Sequence, residues 1–218
     1  MRIKDVLLIT LFALMSFVTL TGCTQKKMLW NGKDFTGWEL RLPGSDKESA
    51  RVWSVREGVI HCDGVPNGYM RTTKEYSNYK LHLEWRWVQG DYRNRNSGVL
   101  VRVSGPDRLW PKCIEAQLHS GDAGDFWLIG GTAITVDRTR TESSRRPMRV
   151  KKMKQSSEKP IGQWNKYDIF CEGDTIRCYV NDALQNSGTD ASVTKGNIAL
   201  QSEGAPIQFR DIYIEPLE

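Results

Sequence analysis

Three things are missing from this sequence of 218 residues. No convincing helical pattern of apolar residues three and four apart appears, which argues against helical bundles and against sheets covered by crossover helices. No apolar run reaches the roughly 20 residues of a membrane-spanning helix; the main one, Val6–Leu20, stops short. The five cysteines carry no zinc-type spacing. Excess charge is also limited. The net +5 is moderate, and much of it sits between Arg138 and Lys154, so no basic field covers the whole chain.

What is present begins with a targeting segment. Met1–Asp5 carries Arg2 and Lys4, an apolar core follows, and LTGC closes it at Leu20–Cys23. This is the order of a secretory signal. The LTGC ending resembles the bacterial lipobox, which implies cleavage before Cys23 and lipidation of that cysteine. Residues 1–22 are then a leader, 23–28 a lipidated tether, and 29–218 one folded domain. Thr24–Lys27 lacks the acidic run used for surface export, so the expected location is the periplasmic side of the envelope, with membrane contact only through the lipid. Four cysteines remain. An oxidising compartment permits disulfides: Cys171 with Cys178 across a turn, and Cys62 with Cys113 over a long span. Free buried thiols are the open alternative.

The domain reads as all-β. Val52–Val55 and Val59–Cys62 flank Glu57-Gly58 as a hairpin. Trp164–Phe170 and Thr175–Asn181 do the same around Glu172-Gly173-Asp174. Lys195–Gln201 and Ile207–Ile214 are further strands, whereas Gly121–Gly131 reads as a loop. Many short strands with Gly, Asn and Asp turns point to a β-sandwich or barrel.

Three runs between Tyr79 and Gly121 carry the chemistry. Residues two apart on a strand share a face. Lys80–Val88 therefore groups His82, Glu84 and Arg86, with Trp85 and Trp87 turned to the core. Gly98–Ser104 presents Arg102 among valines and leucine. Cys113–His119 groups Glu115, Gln117 and His119. If the three strands are neighbours, one face carries two glutamates, two histidines, two arginines and a glutamine, the floor of a sugar site. Trp110 or Trp127 is placed to stack on a ring. Each group also has a structural alternative: Glu84 in an ion pair with Arg86 or Arg102, His119 at a loop edge. Glu115 and His119 could share a divalent metal, but two ligands do not make a site, so no cofactor is the expectation and a divalent metal the open alternative. The polar segment Arg138–Lys159 reads as a loop, or as a patch for acidic glycans or a phosphate backbone. It lacks the interleaved aromatics of single-strand nucleic-acid binders, so the expected partner is carbohydrate and not nucleic acid.

Several short motifs recur in order: LWNGKDFTGW at Leu29, EWRW at Glu84, RNSGVLVR ending at Arg102, IEAQL at Ile114 and GNIALQSEGAPIQFRDIYIEPL to Leu217. In this order the chain resembles the 3-keto-disaccharide hydrolase domain family. The resemblance implies a concanavalin-like jelly-roll of two curved antiparallel sheets acting on glycosides already oxidised to a ketone at sugar carbon 3. The family's strand acid falls on Glu84, with Arg86 beside it. Its Asn-Ser-Gly start falls on Asn96, Ser97 and Gly98, followed by Arg102. Its Glu-x-Gln pair falls on Glu115 and Gln117, and its closing Leu-Gln on Leu200 and Gln201. His119 stands where the family has aspartate, and Glu203 where it has histidine.

Such a ketone acidifies the carbon 2 proton, so a base can remove it and expel the glycosidic oxygen; water then adds. The reaction needs a base, a donor for the enolate oxygen and an acid for the leaving group. The expected roles are His119 or Glu115 as base, Arg86 or Arg102 as enolate stabiliser, and the other of Glu115 and Glu84 as acid. Gln117, Asn96, Gln201, His82 and Trp127 would bind the sugar. The alternatives are a two-carboxylate glycosidase using Glu84 and Glu115, a non-catalytic carbohydrate-binding module, or a structural lipoprotein of a larger assembly.

Overall fold

The computed structural model describes residues 25–42 and 51–218. The leader, the lipobox and Cys23 lie outside the described residues. Within them the chain forms β1 (Lys27–Met28), β2 (Trp38–Arg41), β3 (Trp53–Arg56), β4 (Val59–Cys62), β5 (Gly68–Thr72), β6 (Tyr79–Trp87), β7 (Gly98–Ser104), β8 (Lys112–Gln117) and β9 (Phe126–Ile129). It continues with β10 (Ala133–Val136), β11 (Thr139–Glu142), β12 (Met148–Val150), β13 (Asn165–Glu172), β14 (Thr175–Val180), β15 (Ala183–Gly188), β16 (Asn197–Ser202) and β17 (Ile207–Pro216).

Two antiparallel sheets make a sandwich. The larger runs β15-β14-β13-β6-β17-β4-β3, with β1 added on β17; the smaller runs β12-β9-β8-β7-β16-β5-β2; β10 and β11 form a separate hairpin. The first and last strands of the domain lie far apart in sequence from their partners, as a jelly-roll requires.

Alternation explains the larger sheet. Along β6, Tyr79, Leu81, Leu83, Trp85 and Trp87 are buried while the residues between them are half-buried. The buried set meets Val99, Val101, Ile114, Ala116, Phe126 and Leu200 of the smaller sheet in one core. Trp85 and Trp87 thus face inward, as the alternation predicts.

The smaller sheet breaks the alternation. Strands β7, β8 and β16 are buried almost continuously, the mark of a sheet covered on both faces. Its outer face carries a second apolar cluster of Tyr69, Leu100, Val103, Cys113, Ile129 and Ala199, flanked by Trp110 and Trp127. The loop that holds Trp110 lies over this face. A hydrophobic floor with polar groups set into it results.

The four cysteines described are buried free thiols. Opposite Cys171 on β14 stands Ile176, and opposite Cys178 on β13 stands Ile169, so the two are offset by two residues along the hairpin. Burial pushes the Cys62 thiol up to about 12 and raises that of Cys178 as well, which leaves both protonated and unreactive.

Candidate active site

Register assembles one row of side chains across the smaller sheet. Ala199 pairs with Leu100, Leu100 with Glu115, Glu115 with Trp127, and Trp127 with Arg149. Because Leu100 and Ala199 belong to the outer cluster, Glu115 and Trp127 share that outer face. Two residues further along their strands come Gln117 and Gln201, then Glu203, which bridges to Asn96. A cavity of about 170 Å³ opens here, lined by Asn96, Glu115, Gln117, Trp127, Gln201 and Glu203 among others.

The motif Asn96-Ser97-Gly98 builds the floor, one residue at a time. Asn96 forms the bridge to Glu203. The Ser97 hydroxyl donates to the Gln201 carbonyl at 2.8 Å and ties β7 to β16. Gly98 leaves room for Glu115, because a Cβ there would overlap the Glu115 carboxyl group. The acid lies folded over the neighbouring strand, and only glycine permits that.

Polar atoms in the cavity lack partners among the described residues. Asn96 Oδ1, Glu115 Oε1, Gln201 Oε1 and Trp127 Nε1 are buried with no hydrogen bond. Native interiors rarely tolerate four such atoms together. Gln117 adds a fifth group of known polarity. Its Oε1 accepts the backbone N–H groups of Leu118 at 2.7 Å and His119 at 2.8 Å, so its NH₂ is the end left free. Donors and acceptors thus converge on a space suited to one ring of hydroxyls.

The electrostatics are unusual as well. Burial, and then the charge of Glu203, push the Glu115 carboxyl from its ordinary value up to about 8. Glu115 is therefore protonated at neutral pH. Burial also raises Glu203. Two carboxyl groups in one cavity with displaced titrations are an acid–base arrangement.

Several expected site residues are not part of it. Strand β6 belongs to the larger sheet, so His82, Glu84 and Arg86 lie across the sandwich from Glu115. There Glu84 Oε2 accepts two bonds from Arg210 at 2.6 Å, a structural ion pair. Arg86 donates to Gln208 and covers Trp164. His82 bonds Asp168 at 2.9 Å and stacks on Tyr213. The pairing of Glu84 with Glu115 is excluded by the same separation.

Arg102 is diverted for a different reason. Simple alternation would put it beside Leu100 on the outer face, but the register shifts between Val101 and Ser104 and Arg102 takes φ of 58°. This bulge turns the guanidinium inward, fully buried, where it donates to the carbonyls of Val193 at 2.8 Å and Gly173 at 2.7 Å. It fastens the end of the sandwich and does not reach the cavity.

His119 lies beyond the cavity's lining. Its Nδ1 is 3.3 Å from Asp122, whose carboxylate also holds Arg149 at 2.8 Å. Arg149 in turn binds Asp125. Glu203 is the residue missed. Its signal was available: it stands two positions after Gln201, the same spacing that groups Glu115 with Gln117. Among the described residues no three of His, Cys, Asp and Glu converge to hold a metal ion.

A neighbouring hollow of about 290 Å³ borders Arg41, Tyr69 and Asp107. Most of its charge is spent internally: Arg41 and Arg71 each bind both Glu39 and Asp107, while Arg108, which also lines it, makes no ion pair among the described residues. The orphaned polar atoms single out the smaller cavity.

Comparison with known proteins agrees with the fold. The 3-keto-alpha-glucoside-1,2-lyase-like domain family matches residues 25–215. No curated protein matches the sequence. Among solved structures, a candidate glycosyl hydrolase from Parabacteroides distasonis is 22% identical, with a TM-score of 0.64 over 88% of this chain and 94% of that one. A carbohydrate-binding module of Bacillus subtilis is 14% identical, TM-score 0.58, over 84% and 97%. A β-glucanase of Bacillus licheniformis is 13% identical, TM-score 0.54, over 84% and 93%. At these identities the likeness shows the jelly-roll fold alone.

Proposed function

We propose, from the fact that the chain belongs to the 3-keto-alpha-glucoside-1,2-lyase-like domain family, that the cavity around Glu115 cleaves glycosides whose sugar carries a ketone at carbon 3. The observation that carries this reading is a neutral, buried Glu115 coupled to Glu203 among unpartnered donors and acceptors.

In this reading Glu203 is the base. It takes the carbon 2 proton, and the C–H electron pair becomes part of an enolate with the carbon 3 ketone. The Trp127 N–H and the free Gln117 NH₂ are the donors in reach of that oxygen, and they take the part first expected of Arg86 or Arg102. The enolate collapses to a carbon 1–carbon 2 double bond as the glycosidic C–O bond breaks. Glu115 delivers its proton to the departing oxygen. Water then adds across the double bond, so the net change is hydrolysis, and exchange with solvent resets both carboxyl groups. Asn96 and Gln201 hold the sugar hydroxyls. Proton transfer by a positioned group supplies about 10²–10⁴-fold, and each enolate donor about 10²–10³-fold.

Activity needs Glu203 ionised and Glu115 protonated, which predicts a bell-shaped pH profile. The alkaline limb lies near 8, and the acid limb above the ordinary carboxylate range.

A second reading uses the same pair. Glu115 as acid and Glu203 as nucleophile or base would make a two-carboxylate glycosidase. Incubation with a 3-keto-glucoside in heavy water separates the two, because elimination followed by water addition leaves deuterium at carbon 2 and direct hydrolysis leaves the original proton. Ligand binding with no aglycone release would instead identify a carbohydrate-binding module. The proposal also keeps the domain tethered through Cys23 on the periplasmic side; labelled palmitate should enter the wild type and not Cys23→Ser, and equal labelling would remove the tether.

A further inference from the structure

The cavity has a neighbour. Trp110, Ile129 and Pro147 form a wall shared with a second hollow of about 520 Å³. The far side of that hollow is made by Arg108 from the loop after β7 and by Arg145 and Arg146 from the turn between β11 and β12. Among the described residues no carboxylate lines it. All three arginines are exposed, and among the described residues none of them makes an ion pair. Asp107, next to Arg108, is engaged by Arg41 and Arg71, and Asp122 and Asp125 by Arg149 and Lys152; Glu142 on β11 is exposed and is not among the residues that line the hollow.

Within the basic segment the side chains do different things. Arg149 and Lys152 are consumed in holding the 119–125 loop to β12. Arg145 and Arg146 make no ion pair among the described residues, and the fold brings Arg108 to the same hollow from 37 residues earlier in the chain. Three arginines line one hollow that shares an indole with the candidate active site. Guanidinium presents a planar fork of donors matched to carboxylate and sulfate oxygens, and an indole is a plate for a sugar ring.

We propose that this hollow is a subsite for an oxyanion-bearing sugar, a uronate or a sulfated residue, linked to the ring held beside Glu115. The proposal rests on the glycoside reading given above and names the substrate class of that site. Charge then sets the direction of binding. The negative sugar lies toward the arginines, and the ring to be cleaved lies toward a neutral Glu115. Since the arginines are exposed, their attraction is moderate and screened by salt.

The test uses three disaccharides that differ at one position: neutral, carboxylated and sulfated. Binding is measured by calorimetry at low and high ionic strength, in the Glu115→Gln background so that nothing is consumed. The charged sugars should bind at least about tenfold tighter than the neutral one at low salt. That lead should vanish in R108A/R145A/R146A and at high salt, and reverse in R145E/R146E. The stronger of the two charged arms identifies carboxylate or sulfate as the natural group. Equal binding of charged and neutral sugars, or a lead that survives the triple substitution, overturns the subsite. So does failure of all three sugars to bind the folded protein. Cleavage of a neutral 3-keto-glucoside by the wild type reports separately on the underlying activity.

Discussion

Replacing Glu115 by glutamine should make the protein more stable and less active. The carboxyl group titrates near 8 in the folded chain against an ordinary 4.5. Below pH 4.5 both folded and unfolded states are protonated, and the group contributes nothing to the balance. As pH rises from there the unfolded chain releases a proton that the folded chain keeps. Stability therefore falls with rising pH, by about 1.4 kcal/mol for each pH unit, until the folded group itself ionises near 8. At pH 7 the cost is about 3 kcal/mol, and it levels off at about 5 kcal/mol above pH 8. Glutamine keeps the shape and removes the proton linkage. In a domain of this size 1 kcal/mol corresponds to about 2–4 °C, so Glu115→Gln should raise Tm at pH 7 by roughly 6–12 °C. The two proteins should melt alike near pH 4. The assay is thermal melting of both proteins from pH 4 to 9, read as their difference so that other carboxylates cancel. In parallel, turnover should fall by about 10²–10⁴-fold. A variant that melts below the wild type at pH 7, or a difference that does not grow with pH, would refute the account of a desolvated acid.

Three other substitutions probe the framework. Gly98→Ala should displace the Glu115 side chain, lowering turnover at least about tenfold and stability by about 1–3 kcal/mol as an overpacked contact; unchanged kinetics would show that Gly98 does not shape the site. Glu84→Gln removes a partly exposed ion pair on the opposite sheet, so it should cost about 0–1 kcal/mol and leave kcat/KM within about twofold, and a large loss of turnover would return Glu84 to the chemistry. Arg102→Ala should cost about 3 kcal/mol or more, because a fully buried guanidinium is lost together with its two charge-assisted bonds to the Val193 and Gly173 carbonyls. Its remaining folded fraction should turn over normally, and a selective loss of kcat would contradict a purely structural role.

Much of the fold was legible in local pattern. The alternation of Leu81, Leu83, Trp85 and Trp87 gave β6 and its buried face, and Glu172-Gly173-Asp174 gave the β13–β14 hairpin. What local pattern does not carry is which strand sits beside which. Strands β6 and β7 follow each other in sequence yet belong to different sheets, so His82, Glu84 and Arg86 were grouped with Glu115 by proximity along the chain alone. Alternation also failed at Arg102, where a bulge reverses the face, and a bulge leaves little trace in residue type. Strand β9 lies inside a glycine-rich stretch whose composition is that of a loop, although Trp127 in it signals a contact. Glu115, Gln117, Asn96 and Gln201 do come together, because β7, β8 and β16 are adjacent in one sheet. Glu203 obeys the same two-residue spacing, although in the family pattern it is a departure.

The central claim is that Glu203 and Glu115 cleave a glycosidic bond by removing and returning protons around a carbon 3 ketone. The most direct test is to run the reaction in heavy water with a 3-keto-glucoside and examine carbon 2 of the released sugar by NMR. The account predicts aglycone release with deuterium at carbon 2, abolished together in Glu115→Gln. Release with the carbon 2 proton fully retained would contradict it.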